Sequence, residues 1–537
     1  TGADNTGVGY KALNVSTASN NTAVGSSALL ANTTGAQNVA VGATALDANT
    51  TGTDNVAINY GALTANTTGN QNVAVGRDAL LTSIDGDGST AIGFEAFKTL
   101  EPADGITYNT AVGYQAGKAQ TTALANTLIG AIAGDAITTG GSNTVVGANA
   151  FSTSTTGVGS CAVGVEAMML TTTGADNVAN GYQALRANTT GSSNVAIGRS
   201  ALTANTTGAT HTAVGRNAMA ANTTAANNTA IGYNTLLVNT TGANNVALGG
   251  SALGSNTSAS NNTAIGISAL VANTTGHENT CIGGIAGDAI TTGFVNTAVG
   301  YNSLGANTTA SYNVAVGYDA LAANTTGASN TAVGVSALIA NTTGVNNNGV
   351  GYNAGLAITT GGGNCAMGTG AISAITTQNN NTGCGVNAGS NSTGDSCIFV
   401  GTASGAPAGS TGETGTIVIG VSSASKGSNT GFINANGGGN YAGNNSANWS
   451  TTSDRRIKKN IVDSSVGLDV VKQIQVRNFE YRLPEEIEEI TQSAAIPKVG
   501  TQVGAIAQEL MEVIPECVTQ ENNDVYAVNQ EPVVWAL

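Results

Sequence analysis

The chain is 537 residues long, carries a net charge of −15, and is only 9% charged and 4% aromatic, against about 25% charged in a typical soluble domain. So few large side chains exclude a thick, interlocking core, and the acidic balance leaves no clustered Lys and Arg for a nucleic-acid groove. No run of 18 apolar residues is present, so no helical membrane span is expected.

From the first residues the chain is repetitive. It opens with Thr1-Gly2-Ala3 inside a repeat, with neither an initiator Met nor a signal peptide, so the true N-terminus and any attachment region are expected upstream. The motif Asn-Thr-Ala-Val-Gly then recurs with its Asn at Asn21, Asn38, Asn55 and Asn72, steps of 17. The register resumes at Asn109 and runs to Asn381, with Ser160 and His211 in two of the Asn places. One internal break is evident, an insertion after Ser89 around Phe94 to Tyr108. A fixed short period of small residues is the signature of stacked coils. We read roughly 25 coils, which at a rise of about 4.8 Å each give a rod on the order of 120 Å long.

The coil Asn194 to Thr210 shows the internal logic. Val195-Ala196-Ile197 forms a short strand ended by Gly198, and Ala201-Leu202 adds a second apolar pair. Asn205-Thr206-Thr207-Gly208 reads as the turn, with Asn and Gly able to adopt positive φ at low cost. Val195 is expected beside Thr212 of the next coil. Val195 and Ile197 share one face of the strand and Ala196 and Gly198 the other, and neither face is polar. One dry face fills the coil, and the other is expected to pack against sister chains in a homotrimer. Asn-Thr-Thr sequons are read as this turn rather than as glycan sites.

Isolated features weigh less. The six cysteines (Cys161, Cys281, Cys365, Cys384, Cys397, Cys517) lack zinc or disulfide spacing and are read as small buried hydrophobes. His211 and His277 stand alone, Asp85-Gly86-Asp87-Gly88 reads as a turn, and no metal or other cofactor is expected.

The repeat motif is similar to the head repeats of trimeric autotransporter adhesins, left-handed β-rolls that trimerise, and to repeats of phage-fibre proteins. That resemblance implies a parallel β-solenoid or β-roll and leaves a bacterial surface adhesin as the alternative to a virion fibre.

Residues 397–452 are a degenerate stretch rich in Gly, Ser and Asn, with Thr416 to Gly420 as a last strand before a neck. Composition then changes. Of the 47 charged residues, 22 fall in the last 85 positions. In this tail Val466 to Ile474 reads as a short helix, and Phe479, Tyr481 and Leu483 alternate as in a strand. It opens with Ser453-Asp454-Arg455-Arg456-Ile457-Lys458-Lys459-Asn460-Ile461 and later carries Val503-Gly504-Ala505-Ile506-Ala507-Gln508-Glu509-Leu510. These two motifs resemble the endosialidase-type intramolecular chaperone domain found at the ends of phage tail spikes and tail fibres.

The resemblance implies a small α+β domain over 453–537 that trimerises, assists folding of the shaft over 1–396, and then cuts itself off. It implies cleavage between Thr452 and Ser453, with Ser453 as nucleophile and Lys458 as general base, and with Asp454, Asn460, Gly504, Gln508 and Glu509 as motif residues. A serine needs a base, and a lysine serves only if its pKa falls. Burial and the neighbouring charges of Arg455, Arg456 and Lys459 act in that direction. Residues five apart lie about 140° apart on a helix, so the dyad requires a non-helical segment or partners from neighbouring subunits. The chain stops at Leu537, where the family continues into a longer helix, so this domain is expected to be truncated. The function expected is a tail-fibre or tail-spike shaft for host attachment. Its partners are other copies of itself and a host surface receptor, a glycan or an outer-membrane component.

Overall fold

The computed structural model describes residues 2–101, 105–407, 412–435, 438–442, 449–451, 467–483, 486, 500–520 and 526–528. It divides into two compact units, Thr1–Thr451 and Thr452–Leu537.

The first unit is mainly β. Three-residue strands run from β1 (Thr6–Val8) to β25 (Ile417–Ile419), one per coil, each parallel to the strand before it. Val195 lies opposite Thr212, Ala196 opposite Ala213 and Ile197 opposite Val214. This is a parallel β-solenoid of about 25 turns with 17-residue spacing. At the break, Thr90 pairs with Thr110, a step of 20, and the extra residues follow Leu100, which stays in the core.

Each coil is thin because its interior holds only a few side chains. In the coil from Asn194, Ala196, Ala201 and Leu202 are fully buried, with Asn194 and Asn205 beside them. Buried amides need partners, and the coil itself and its two neighbours supply them. Asn194 Nδ2 donates to Gly208 O at 3.0 Å, while Asn194 Oδ1 accepts the N–H of residue 211 at 3.0 Å. Asn205 Nδ2 donates to Gly208 O and to Asn188 Oδ1, each at 2.9 Å. Two ladders built mostly of Asn therefore run along the unit and tie coils to their neighbours, with Ser160 and His211 standing in one and Ile137, Ile290, Ile358 and Ile375 interrupting the other. The sequon asparagines are these interior ladder residues.

The turn differs from the expectation drawn from residue type. Positive φ falls at Gly198 (126°), Ser200 (57°), Leu202 (51°) and Thr210 (59°), not at Asn205 or Gly208. Gly208 is small for a different reason. A β-carbon there would lie 2.3 Å from Ala225 O, the carbonyl of the coil above. Leu202 accepts the left-handed conformation because that geometry aims its side chain into the core, while Leu202 N–H donates to Ala218 O at 2.9 Å. An L residue there costs about 1–2 kcal/mol, which an isolated coil could not offset.

Cysteine placement also departs from the expectation. Cys281, Cys397 and Cys517 are buried, but Cys161 and Cys365 are half-buried and Cys384 is exposed. Cys161 and Cys365 open their strands and Cys384 closes one, and these positions point outward; only the central residue points in.

Thr416 to Gly420 is not the last strand. Beyond β25 the stack gains β26 (Gly431–Ala435), parallel to it at a shorter step of 14. The chain then reverses into antiparallel β27 (Gly438–Ala442) and β28 (Trp449–Thr451).

The second unit is small and α+β in its described parts. Helix α1 (Leu468–Val471) is followed by β29 (Arg477–Phe479), antiparallel to β30 (Gln502–Gly504). Helix α2 (Ala507–Val513) and a 3₁₀ turn at Pro515–Cys517 lead to β31 (Val518–Gln520), antiparallel to β32 (Tyr526–Val528). The strand expected over Phe479, Tyr481 and Leu483 ends at Phe479. Tyr481 instead meets the Phe479 ring edge-on at 5.4 Å, and Leu483 is exposed.

Candidate functional site

The second sequence motif folds as a strand leading into a helix. Gly504 closes β30, opposite Arg477 of β29. The chain then turns through Ala505 and Ile506 into α2, whose first turn carries Gln508 and Glu509. Leu510, one residue further, is buried with Ile514 and Cys517, and Val470, Ile474, Val513 and Val528 pack around them. This apolar cluster packs α2 against the α1 segment and the β31–β32 pair, which fixes the direction of Glu509.

Glu509 is held by Arg477 through two parallel bonds. Arg477 Nε donates to Oε2 and Nη2 to Oε1, both at 3.0 Å. Such a fork-on-fork pair sets orientation as well as charge, and the carboxylate raises the Arg477 pKa above its ordinary value. The pair bridges the strand to the helix across 32 residues of sequence. Gln508, on the next face of the helix, points to solvent. Gly504 faces Phe479, whose ring would lie 3.4 Å from a β-carbon placed there; even a methyl group would only just fit.

The structure thus brings Gly504 and Glu509 together around Arg477 and Phe479. Arg477 was not singled out in the sequence, though its place opposite Gly504 would have marked it once the strand pairing was drawn. Thr452, Ser453, Asp454, Lys458 and Asn460 lie outside the described residues.

Residues 453–519 match the family model described as chaperone of endosialidase. The match starts at Ser453 and ends within β31, so it spans both motifs. The C-terminal segment is thus similar to the endosialidase-type chaperone domain, and it follows a parallel β-solenoid in the chain. No curated protein and no solved structure matches the chain.

Proposed function

We propose that this chain is the shaft of a phage tail fibre or tail spike, a homotrimer serving host attachment. Its C-terminal domain aligns three chains, promotes folding of the shaft and then cleaves the chain between Thr452 and Ser453. In this reading Ser453 is the nucleophile and Lys458 the base that takes its proton, and the peptidase acts once on its own chain.

The observation that carries the reading is the chaperone match beginning at Ser453, directly after a solenoid built from one repeated coil. Such a stack has a register problem. In many strand pairs Ala faces Ala and Val or Ile faces Val or Ile. Chains slipped by one whole coil would keep most of their contacts, so register is weakly specified. A domain that aligns the chains first removes the ambiguity. Cleavage afterwards separates the assembled shaft from its folding aid and gives it kinetic stability.

The trimer is supported by the outward strand face. Ile58, Ile92, Ile129, Ile197, Ile231 and Ile282 each leave between 37% and 39% of their surface exposed, in one column. An apolar stripe of this length, interrupted at Asn180, is rare on a monomer and marks an interaction surface. Covering it is worth on the order of 0.5–1 kcal/mol per side chain, summed over the shaft.

The test is expression of the wild-type chain and of Ser453→Ala and Lys458→Ala, followed by intact mass measurement. The reading expects a product ending at Thr452 from the wild type and full-length chains from both variants. A wild type that stays full length, or variants that still cleave, would remove the peptidase from the account.

A further inference from the structure

We propose that Tyr182, Arg199, Arg216 and Tyr233, stacked in four successive coils, form a binding site for an acidic saccharide.

These residues occupy one column, the position directly after the glycine that ends each strand. The column is not random in composition. The first 452 residues hold only four arginines, and Arg77, Arg199 and Arg216 all fall in it. All four side chains of the proposed site are exposed. The Arg199 guanidinium lies 5.7 Å from the centre of the Tyr182 ring, and that of Arg216 lies 5.8 Å from Tyr233. The order along the axis is therefore ring, cation, cation, ring.

The two central cations pose an electrostatic problem. Their backbones are neighbours at the coil spacing of about 4.8 Å, so the two like charges share one stretch of surface and repel each other. Among the described residues neither has an acidic partner in an ion pair, whereas Arg77, in the same column, is paired with Asp78 at 3.4 Å. A chain of net charge −15 has carboxylates to spare, yet none is placed here. An external anion bridging both guanidinium groups resolves the repulsion, and their planar donors suit carboxylate or sulfate oxygens. The flanking tyrosines supply flat apolar faces ending in hydroxyl groups, which suit the C–H face and hydroxyls of a sugar ring. Below the cations the scaffold is fixed, with Asn217 Nδ2 donating to Asn234 Oδ1 at 3.0 Å. Rigid strands thus hold an anion fork between two stacking platforms. The site deepens the host-attachment reading and rests on it for biological meaning, but binding itself is measurable whatever the shaft belongs to.

The experiment is calorimetry on the full chain with an oligouronate, dextran sulfate, neutral dextran and inorganic phosphate. Light scattering and thermal melting on each variant check assembly and folding. We expect binding of the oligouronate or dextran sulfate and none of neutral dextran. Arg199→Gln/Arg216→Gln should weaken that binding at least tenfold, with mass and melting unchanged. Tyr182→Ala/Tyr233→Ala should weaken saccharide binding more than phosphate binding. The proposal is overturned if neither acidic saccharide binds, if the double Arg variant binds equally well, or if phosphate alone binds as tightly. It is also overturned if the Arg variant loses assembly mass, since the column would then be a contact between copies. A trimer that fails to bind defeats this site alone; a binding monomer defeats the trimer alone.

Discussion

His211 Nδ1 accepts the backbone N–H of Asn228 at 3.2 Å, the bond that an asparagine Oδ1 makes at the equivalent place in neighbouring coils. Its Nε2 lies 2.7 Å from Ala225 O and replaces the amide donor. Only a neutral ring with its proton on Nε2 can accept at one nitrogen and donate at the other. Burial accordingly lowers the His211 pKa. Above the ordinary value of about 6.5 the ring is neutral both folded and unfolded. As pH falls through that value the unfolded chain takes up a proton that the folded coil resists, so stability drops. We expect the amides of Val195 and Asn228 to exchange with solvent faster at pH 5 than at pH 7.5, after correction for intrinsic rates. His211→Asn should abolish the difference.

Glu95, near the inserted coil, also loses stabilisation as pH falls, but because its charged form rather than a neutral one is favoured. It accepts from Lys98 at 2.7 Å, Lys118 at 2.8 Å and Gln115 at 2.7 Å, with hydrogen bonds from Lys118 and then Lys98 the largest causes holding its pKa down to about 2. A carboxylate depressed below its unfolded value stabilises the fold above about pH 4.5, and this is lost as pH falls towards 2. After solvent screening we expect about 1–2 kcal/mol. Glu95→Gln should cost that much at pH 7 and nearly nothing at pH 2, read from exchange of the Phe97 and Gln115 amides.

Val295 is a β-branched residue at a φ of 53°, a conformation that such side chains rarely adopt. The equivalent residue is Asn in the coils of Asn227, Asn244 and Asn261. Val295→Asn should stabilise the coil by about 1 kcal/mol, measured as slower exchange of residue 295, whose N–H donates to His277 O.

The inner Asn ladder gives the largest expected loss. Asn205→Ala removes the partner of Asn188 Oδ1 and of Asn222 Nδ2, both buried. The cost should be about 2–4 kcal/mol, whereas exposed Thr207→Ala in the same turn should stay within about 0.5 kcal/mol. Equal effects in urea titration would show that the ladder contributes no more than the surface.

Much of this architecture could be read from spacing. The 17-residue recurrence of Asn set the register of strand pairing, because the period of a solenoid is the length of its coil. That Ala196 and Ile197 face opposite ways followed from strand alternation, but which of them points inward did not, because both faces are apolar. The turn was not legible from residue type: Ser200, Leu202 and Thr210 are poor candidates for positive φ, and they take it because the coil-to-coil bonds impose it. The exposed Cys384 was misjudged by weighing hydrophobicity alone, although its place at the end of a strand already pointed it outward. In the tail, Gly504 and Glu509 were legible as a motif. Their meeting around Arg477 depended on a strand pairing between segments 25 residues apart, which no local pattern shows.

The most direct test of the account is the molar mass of the assembled shaft, measured by light scattering on the chain folded with and without residues 453–537. We expect three chains per particle when the domain is present during folding, and heterogeneous, register-slipped assemblies when it is absent. A monomeric rod in both cases would contradict the trimer and the reason given for a C-terminal chaperone.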